Sequence, residues 1–168
     1  MDTRSEAVLA GVIPALATKV RTAADPLASQ GTYLLVVSGL RTAQQQNALY
    51  AQGRTTAGHI VTNAKAGQSN HNYGLAVDVV PYLSGDGGAL NWQPQSPQFQ
   101  AMVAALKEQG LEWGGDWKGH LADDDHFQLG GLPASPSPEM VQDYEFYDGN
   151  LITIWAKAEA GDYAPEPA

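Results

Sequence analysis

The sequence of 168 residues contains no cysteine. Disulfide bonds, thiolate nucleophiles and cysteine-ligated metal sites are therefore excluded. Positive charge is also scarce, because 9 Lys and Arg residues stand against 18 Asp and Glu residues, for a formal net charge of −9. Proteins that bind the phosphates of nucleic acids need clustered basic residues. Nucleic acid is therefore not an expected partner.

Long hydrophobic segments are absent too, because no apolar run approaches the ~20 residues that a membrane-spanning helix requires. The longest run, residues 7–17, follows Asp2 and Glu6. A secretory signal peptide carries positive charge at that place. We therefore interpret the run as a buried helix of the domain, and we expect a protein that is made in the cytoplasm without an export signal or a membrane span.

Patterning in the first third of the chain predicts helix, strand and helix in turn. Apolar residues at helical spacing indicate a helix from residue 3 to about 24, which Pro14 must kink or restart. Residues 33–37 are typical of a buried strand. Thr42 is then a predicted N-cap, and Gln45 completes a capping box. The strand and the helix that follow each other here hold the intervening turn at a fixed place.

Later segments continue this alternation of strands and helices. The apolar residues around Asp78 predict another strand, and Ser96-Pro97 marks the start of a helix that ends before Gly110. Beyond a proline-rich connection, residues 138–160 keep helical spacing. We expect these C-terminal helices to pack on the domain and residues 162–168 to be frayed.

One stretch combines an imidazole with a carboxylate. His71 and Asp78 lie seven positions apart, and Gly74 between them allows a tight turn before the strand. A further histidine, His126, follows an acidic cluster. Two neutral imidazoles and one carboxylate can hold a zinc ion and leave the fourth tetrahedral position to water, which is typical of a catalytic site. In the alternative interpretation, His71 is a polar loop residue and Asp78 a capping residue.

Two tryptophans flank a pair of glycines before the acidic cluster. Trp113 and Trp117 suit the wall of a groove that a peptide or sugar backbone approaches closely, and they equally suit the edge of the core. We interpret His59 as a solvated loop histidine. His120 receives no predicted role.

Several separated motifs agree in order and spacing with a single protein family. These motifs are Ser38-Gly39-Leu40-Arg41, Ser69-x-His71-x-x-Gly74-x-Ala76-x-Asp78, Trp113-Gly114-Gly115-Asp116-Trp117 and Asp123-x-x-His126-Phe127. Over roughly residues 8–132 the chain resembles the D-alanyl-D-alanine carboxypeptidase / L-alanyl-D-glutamate endopeptidase family of zinc peptidases. The resemblance is closest to the endolysin branch, the L-alanyl-D-glutamate peptidases of bacteriophages.

The resemblance implies an α+β fold. In it, a small central antiparallel-type sheet is flanked by helices and the zinc site lies at the sheet edge, as in hedgehog-like peptidases. We expect residues 1–168 to form a single catalytic domain and the protein to be a monomer. His71, Asp78 and His126 would hold one zinc ion.

The resemblance also implies roles for residues around the ion. Charge spacing does not choose a general base among Asp123, Asp124 and Asp125, but the family has its acid three residues before the second histidine, which points to Asp123. We interpret the other two aspartates as a solvated turn or as partners of a ligating histidine. Arg41 would contact substrate or stabilise an oxyanion, and Ser69 would support the first histidine.

The expected function is zinc-dependent hydrolysis of peptidoglycan stem peptides, at the L-alanyl–D-glutamate bond. The enzyme would act on the cell wall as a bacterial autolysin or as a phage lysin released through a holin. One alternative keeps the chemistry and cuts D-alanyl-D-alanine ends, as a carboxypeptidase or dipeptidase. The other is a non-catalytic metal-binding domain, against which the presence of Asp123 and Arg41 weighs, because a structural site needs neither.

Overall fold

A computed structural model of the protein describes residues 1–85, 87–119 and 122–165, so that His120 lies outside the described residues. The described residues form six α-helices and four β-strands. In chain order these are α1 (Thr3–Leu9), α2 (Pro14–Ser29), β1 (Leu34–Ser38), α3 (Ala43–Ala51), β2 (Ala76–Pro81), α4 (Pro97–Glu108), β3 (Leu111–Trp113), β4 (His126–Leu129), α5 (Pro138–Phe146) and α6 (Leu151–Ala160). None of the helices in these ranges is long and apolar enough to cross a membrane.

The four strands form one antiparallel sheet in the order β1-β2-β4-β3. The α+β class with a small antiparallel sheet is therefore confirmed. All six residues of β2 are buried, as expected for a central strand that helices cover. Between β1 and β2 the register shifts, since Val36 pairs with Val79 but Ser38 pairs with Asp78. Such a bulge bends the strand and redirects side chains next to it.

The helix predicted from residue 3 to about 24 is in fact two helices. Pro14 is the first residue of α2, a position where proline is favoured because its missing N–H would have had no partner in the helix. The turn before it is held by a hydrogen bond from the N–H of Ile13 to the carbonyl of Gly74 (2.9 Å). Moreover, α2 continues through Pro26 to Ser29, further than the sequence pattern indicates.

The C-terminal helices contribute to the same hydrophobic core as the rest of the chain. Met140 of α5 and Ile154 of α6 belong to one buried cluster together with residues of α1 and the sheet, and we propose that the chain is a single domain on this basis. Tyr163, within the tail predicted to be frayed, is 1% exposed and belongs to that cluster. Fraying therefore does not include Tyr163, and residues 166–168 lie outside the described residues.

We expect Asp143→Ala to loosen the C-terminal helices. The Asp143 carboxylate in α5 accepts a hydrogen bond from Lys157 of α6 (2.5 Å) and another from the Tyr163 hydroxyl (3.0 Å). The bond from Lys157 lies in solvent and adds little, whereas the bond from the buried Tyr163 hydroxyl to a charged group contributes about 1.5–3 kcal/mol. The free energy of unfolding should therefore fall by about 1.5–3 kcal/mol. Urea denaturation measures the change. Glu145→Ala, an exposed change in the same helix, should leave the midpoint unaltered, and equal midpoints for the two variants would contradict the prediction.

Candidate metal centre

A short turn just before β2 positions His71. Residues Asn70–Tyr73 form a 3₁₀ turn rather than an open loop, and Gly74 ends it in the left-handed region at φ +65°. Ser69 precedes the turn, and its hydroxyl accepts a hydrogen bond from the N–H of His71 (3.4 Å). Glycine adopts the left-handed conformation required at position 74 without steric cost. The imidazole is thus fixed at the entrance to the strand that carries Asp78.

Strand pairing brings the other two candidate ligands together. Asp78 of β2 lies directly opposite His126, the first residue of β4. Residues that face each other across an antiparallel pair project from the same face of the sheet. The candidate site consequently lies across the two central strands, at the end of the sheet where β4 begins.

The ligand atoms of these three buried residues form a small triangle. His71 Nε2 lies 3.0 Å from Asp78 Oδ1 and 3.2 Å from His126 Nδ1, and Asp78 Oδ1 lies 3.6 Å from His126 Nδ1. Zn–N and Zn–O bonds of roughly 2.0–2.1 Å in a tetrahedron imply ligand atoms about 3.3–3.4 Å apart. The separations in this protein bracket that spacing, so the donor set fits a zinc ion.

Hydrogen bonds to the opposite ring nitrogens orient both imidazoles. His71 Nδ1 donates to the carbonyl of Gly39 (2.8 Å), and His126 Nε2 donates to Oε1 of Gln128 (3.3 Å). Each bond leaves the lone pair of the other nitrogen directed at Asp78. Partners of this kind fix the tautomer of metal-binding histidines. Burial also lowers the pKa of His71, which favours the neutral form that binds metal.

Arg41 holds the Asp78 carboxylate from its other side. Its guanidinium donates to Asp78 Oδ2 and, through Nε, to the hydroxyl of Ser38 (2.8 Å). Burial alone would raise the pKa of Asp78, but the two histidines and Arg41 outweigh burial and hold that pKa well below its usual range. The carboxylate is therefore ionised, with Oδ1 facing the histidines. In this structure Arg41 contacts a candidate ligand, which the sequence did not predict.

The three neighbouring aspartates have different environments. Asp123 and Asp124 are exposed, and Asp123 lines the cleft in front of His71 and His126. Asp125 is partly buried, and the N–H of Val79 donates to its carbonyl (2.8 Å). Burial, the carboxylates of Asp78 and Asp123 and a hydrogen bond to Asp123 raise the pKa of Asp125 to about 8. A protonated Asp125 can then donate a hydrogen bond to the Asp123 carboxylate.

The two tryptophans predicted to contact substrate occupy different places. Trp117 lines the cleft, and its ring centroid lies 5.0 Å from that of His126. Trp113 is not among the residues that line the cleft. Its indole Nε1 donates instead to the carbonyl of Asp124 (2.6 Å), so it supports the acidic turn rather than forming a groove wall. The pattern around the glycines did not separate these two roles.

The sequence predicted that the backbone of a peptide or sugar approaches the glycine pair closely. The backbone that does so at Gly114 belongs to this protein. A Cβ atom on Gly114 would lie 2.5 Å from the carbonyl oxygen of Asp123, and the N–H of Asp123 donates to the carbonyl of Gly114 (3.1 Å). Glycine is therefore needed at 114 to bring the aspartate to the cleft.

The cleft has a volume of about 320 Å³, and it is lined by Arg41, Ile60, Val61, Thr62, Asn63, Ala64, Gln68, Ser69, His71, Trp117, Ala122, Asp123, His126, Ala134 and Ser135. His59 is exposed and does not line this cleft, as expected for a solvated loop histidine. Eight site residues were predicted from the sequence. The structure brings seven of them together, six that line the cleft and Asp78 beneath it, whereas Trp113 does not line the cleft.

Two residues that orient the histidines were not identified from the sequence. Gly39 acts through its carbonyl, which leaves no side-chain signal. Gln128 is fully buried, and its amide nitrogen donates to the carbonyls of Leu132 (3.0 Å) and Pro133 (3.2 Å). Because successive strand residues alternate between faces, a polar residue two positions after His126 in an apolar strand was a detectable signal.

Comparison with known proteins agrees with this site. Residues 62–129 match the model of a family described as D-alanyl-D-alanine carboxypeptidase. Over 98 residues the chain is 40% identical to the peptidoglycan L-alanyl-D-glutamate endopeptidase CwlK of Bacillus subtilis (strain 168), a match that covers 54% of this chain and 58% of that protein. Over 102 residues it is 30% identical to the L-alanyl-D-glutamate peptidase of Listeria phage A118, covering 60% of this chain and 32% of that protein. The matches thus span only part of the length of either curated relative.

Solved structures show the same relationship at the level of the fold. The L-Ala D-Glu endopeptidase ChiX of Serratia marcescens is similar with a TM-score of 0.55 and 28% identity, covering 77% of this chain and 88% of that one. The vancomycin resistance D,D-dipeptidase VanXYg has a TM-score of 0.54 at 18% identity, covering 85% and 57% respectively, a likeness of fold alone. The family model, the curated relatives and these solved structures are thus all named as peptidases, and the stretch that matches the family model, residues 62–129, contains the three candidate ligands.

Proposed function

We propose that this protein is a zinc-dependent peptidoglycan hydrolase that cleaves the bond between L-alanine and D-glutamate in stem peptides. The observation that carries the proposal is the triangle of His71 Nε2, Asp78 Oδ1 and His126 Nδ1, with sides of 3.0 to 3.6 Å. A carboxylate that could act as a base lies in the same cleft. The bond named in the two curated relatives and in ChiX supports this choice of substrate.

The proposed zinc ion would be held by the two imidazoles and by Oδ1 of Asp78. When bound, zinc supplies a Lewis acid that acidifies water and polarises the scissile carbonyl. Two nitrogens and one oxygen are a ligand set found in catalytic sites that keep one position open. We propose a single ion.

Asp123 is the proposed general base. It accepts a proton from the attacking water and donates that proton to the leaving amine as the peptide bond breaks. Position decides between the neighbouring acids, because Asp123 lines the cleft and neither Asp124 nor Asp125 is among the residues that line it. Geometry takes precedence over pKa when a base is assigned. We propose that Asp125 orients Asp123.

Arg41, Ser69 and Trp117 complete the proposed site. Arg41 fixes the Asp78 carboxylate, and because it also lines the cleft we propose that it contacts the substrate carbonyl during attack. Ser69 supports the turn that carries His71. Trp117 offers an aromatic surface beside His126, suited to contact with the peptide.

Digestion of purified peptidoglycan tests the proposal. New alanine carboxyl ends paired with free glutamate amines, identified by mass spectrometry, are the expected products. Release of D-alanine or its dipeptide would instead support a carboxypeptidase or dipeptidase. The matching family model is described as D-alanyl-D-alanine carboxypeptidase. Absence of products from the zinc-loaded protein would support a non-catalytic domain. We propose that the enzyme acts on the cell wall as a monomer.

We expect Gln128→Leu to weaken zinc binding. The substitution removes the acceptor that holds His126 Nε2, and loss of such an outer partner weakens metal affinity by roughly 10- to 100-fold. Competition with a chromogenic chelator measures the dissociation constant. Gln142→Leu, an exposed change in α5, is the control. Unchanged zinc affinity in Gln128→Leu would show that this hydrogen bond does not orient the ligand.

A further inference from the structure

One wall of the cleft is apolar although the rest of the cleft is largely polar. Ile60 and Val61 line it and are 55% and 54% exposed. Ligand sites combine apolar contact surfaces with a few polar groups that fix orientation. Two adjacent branched aliphatic side chains in the same cleft as His71 therefore provide a surface for an apolar part of a ligand.

The segment that carries Ile60 and Val61 is held by side-chain hydrogen bonds to the residues that follow them. Residues 57–69, all of them described, form no helix or strand. Arg54 Nη1 donates to the carbonyls of Tyr50 (2.7 Å) and Thr62 (2.9 Å), and Nη2 donates to Oδ1 of Asn63 (2.7 Å). The guanidinium also stacks 4.1 Å from the centroid of the Tyr50 ring. Only a planar group with several donors can make all these contacts together.

Helix α3 connects the wall to the metal centre. The buried amide of Gln46 donates to the carbonyl of Ala64 (2.9 Å), which fixes the segment that follows Ile60 and Val61. Before the same helix, the N–H of Arg41 donates to the carbonyl of His71 (2.9 Å). The helix is thus fixed to a candidate ligand at one end and, through Arg54, to residues 62 and 63 at the other.

We propose that Arg54 is a positioning residue for substrate binding. It holds Ile60 and Val61 at the cleft, where they contact the aliphatic side chain of the stem-peptide residue next to the scissile bond. This inference rests on the proposed peptidase function. Arg54 itself is exposed and acts only through the wall, since it is not among the residues that line the cleft.

Kinetics of Arg54→Lys on a soluble peptide containing the L-alanyl–D-glutamate bond test the proposal. Lysine keeps the charge but cannot reach the three acceptors. We expect KM to rise about 5- to 10-fold with kcat within about two-fold, the signature of lost binding shared by ground and transition states. Bound zinc and melting temperature should stay at wild-type values. Arg4→Lys, in α1 and likewise exposed, is the matched control.

A double-mutant cycle separates positioning from other roles. Ile60→Ser combined with Val61→Ser should raise KM by a similar factor, and adding Arg54→Lys should raise it by less than about two-fold more, because residues that act through one another are not additive. A wild-type KM in Arg54→Lys, a fall in kcat or melting temperature instead, or full additivity would overturn the inference. An inactive wild-type protein would instead overturn the proposed function.

Discussion

Asp123→Asn is expected to abolish turnover while zinc remains bound. The amide keeps the size of the side chain but cannot accept a proton from water or return it to the amine. General acid–base groups contribute about 10²- to 10⁴-fold to rate, so kcat should fall by that factor while KM changes little. Because Asp123 is outside the triangle of candidate ligands, zinc should still bind at one ion per chain. Initial rates on the soluble peptide and metal analysis of the same sample measure both quantities.

The adjacent aspartate provides a matched control for this change. Asp124 is exposed, and its backbone carbonyl accepts a hydrogen bond from Trp113 that is retained in Asp124→Asn. That variant should keep the wild-type rate. Asp125→Asn distinguishes orientation from catalysis, since it preserves a donor next to Asp123. If Asp123→Asn cleaves normally and Asp125→Asn does not, Asp125 is the base.

His126→Gln is expected to remove both the metal and the activity. The substitution deletes Nδ1 from a triangle of three ligand atoms, and two protein ligands hold zinc much less tightly than three. We expect zinc affinity and kcat/KM each to fall by about 10³-fold or more, since the ion both activates water and polarises the carbonyl. Isothermal titration with zinc and the peptide assay measure the two effects.

Thermal unfolding gives a readout that does not depend on activity. Zinc at about 100 times its Kd should stabilise the wild-type protein by about 2.7 kcal/mol, because only the folded state holds the three ligands together. His126→Gln should show no such stabilisation at that concentration. His59→Gln is the control, because His59 is exposed and outside the cleft, and it should respond to zinc as the wild type does. An equal response of both variants would place the zinc elsewhere.

Local sequence signals predicted the elements that carry the site. The capping box of Thr42 and Gln45 is confirmed, as is the helix that Ser96 and Pro97 begin, because caps depend on residues within one turn. The seven-residue spacing from His71 to Asp78 spans a 3₁₀ turn and the entry into β2, so their proximity was also a local property.

Other features depended on contacts between distant residues. Of the three aspartates, Asp123 lines the cleft and its backbone approaches Gly114 closely, while the carbonyl of Asp125 accepts from the N–H of Val79. None of these contacts is visible in a run of three acids. The engagement of Arg41 with Asp78 requires the bulge that brings Ser38 opposite that residue. Family resemblance supplied the position of the acid but gave no indication of these contacts.

The support of the His71 turn has a consequence for the order in which the protein is made. Trp155 in α6 donates from its indole nitrogen to the carbonyl of Tyr73 (2.7 Å), 82 residues earlier in the chain, and its ring lies within 3.2–3.4 Å of where a Cβ on Gly74 would be. All three candidate ligands are therefore synthesised before the helix that backs the first of them. A nascent chain is thus expected to bind zinc tightly only after α6 has packed against the His71 turn.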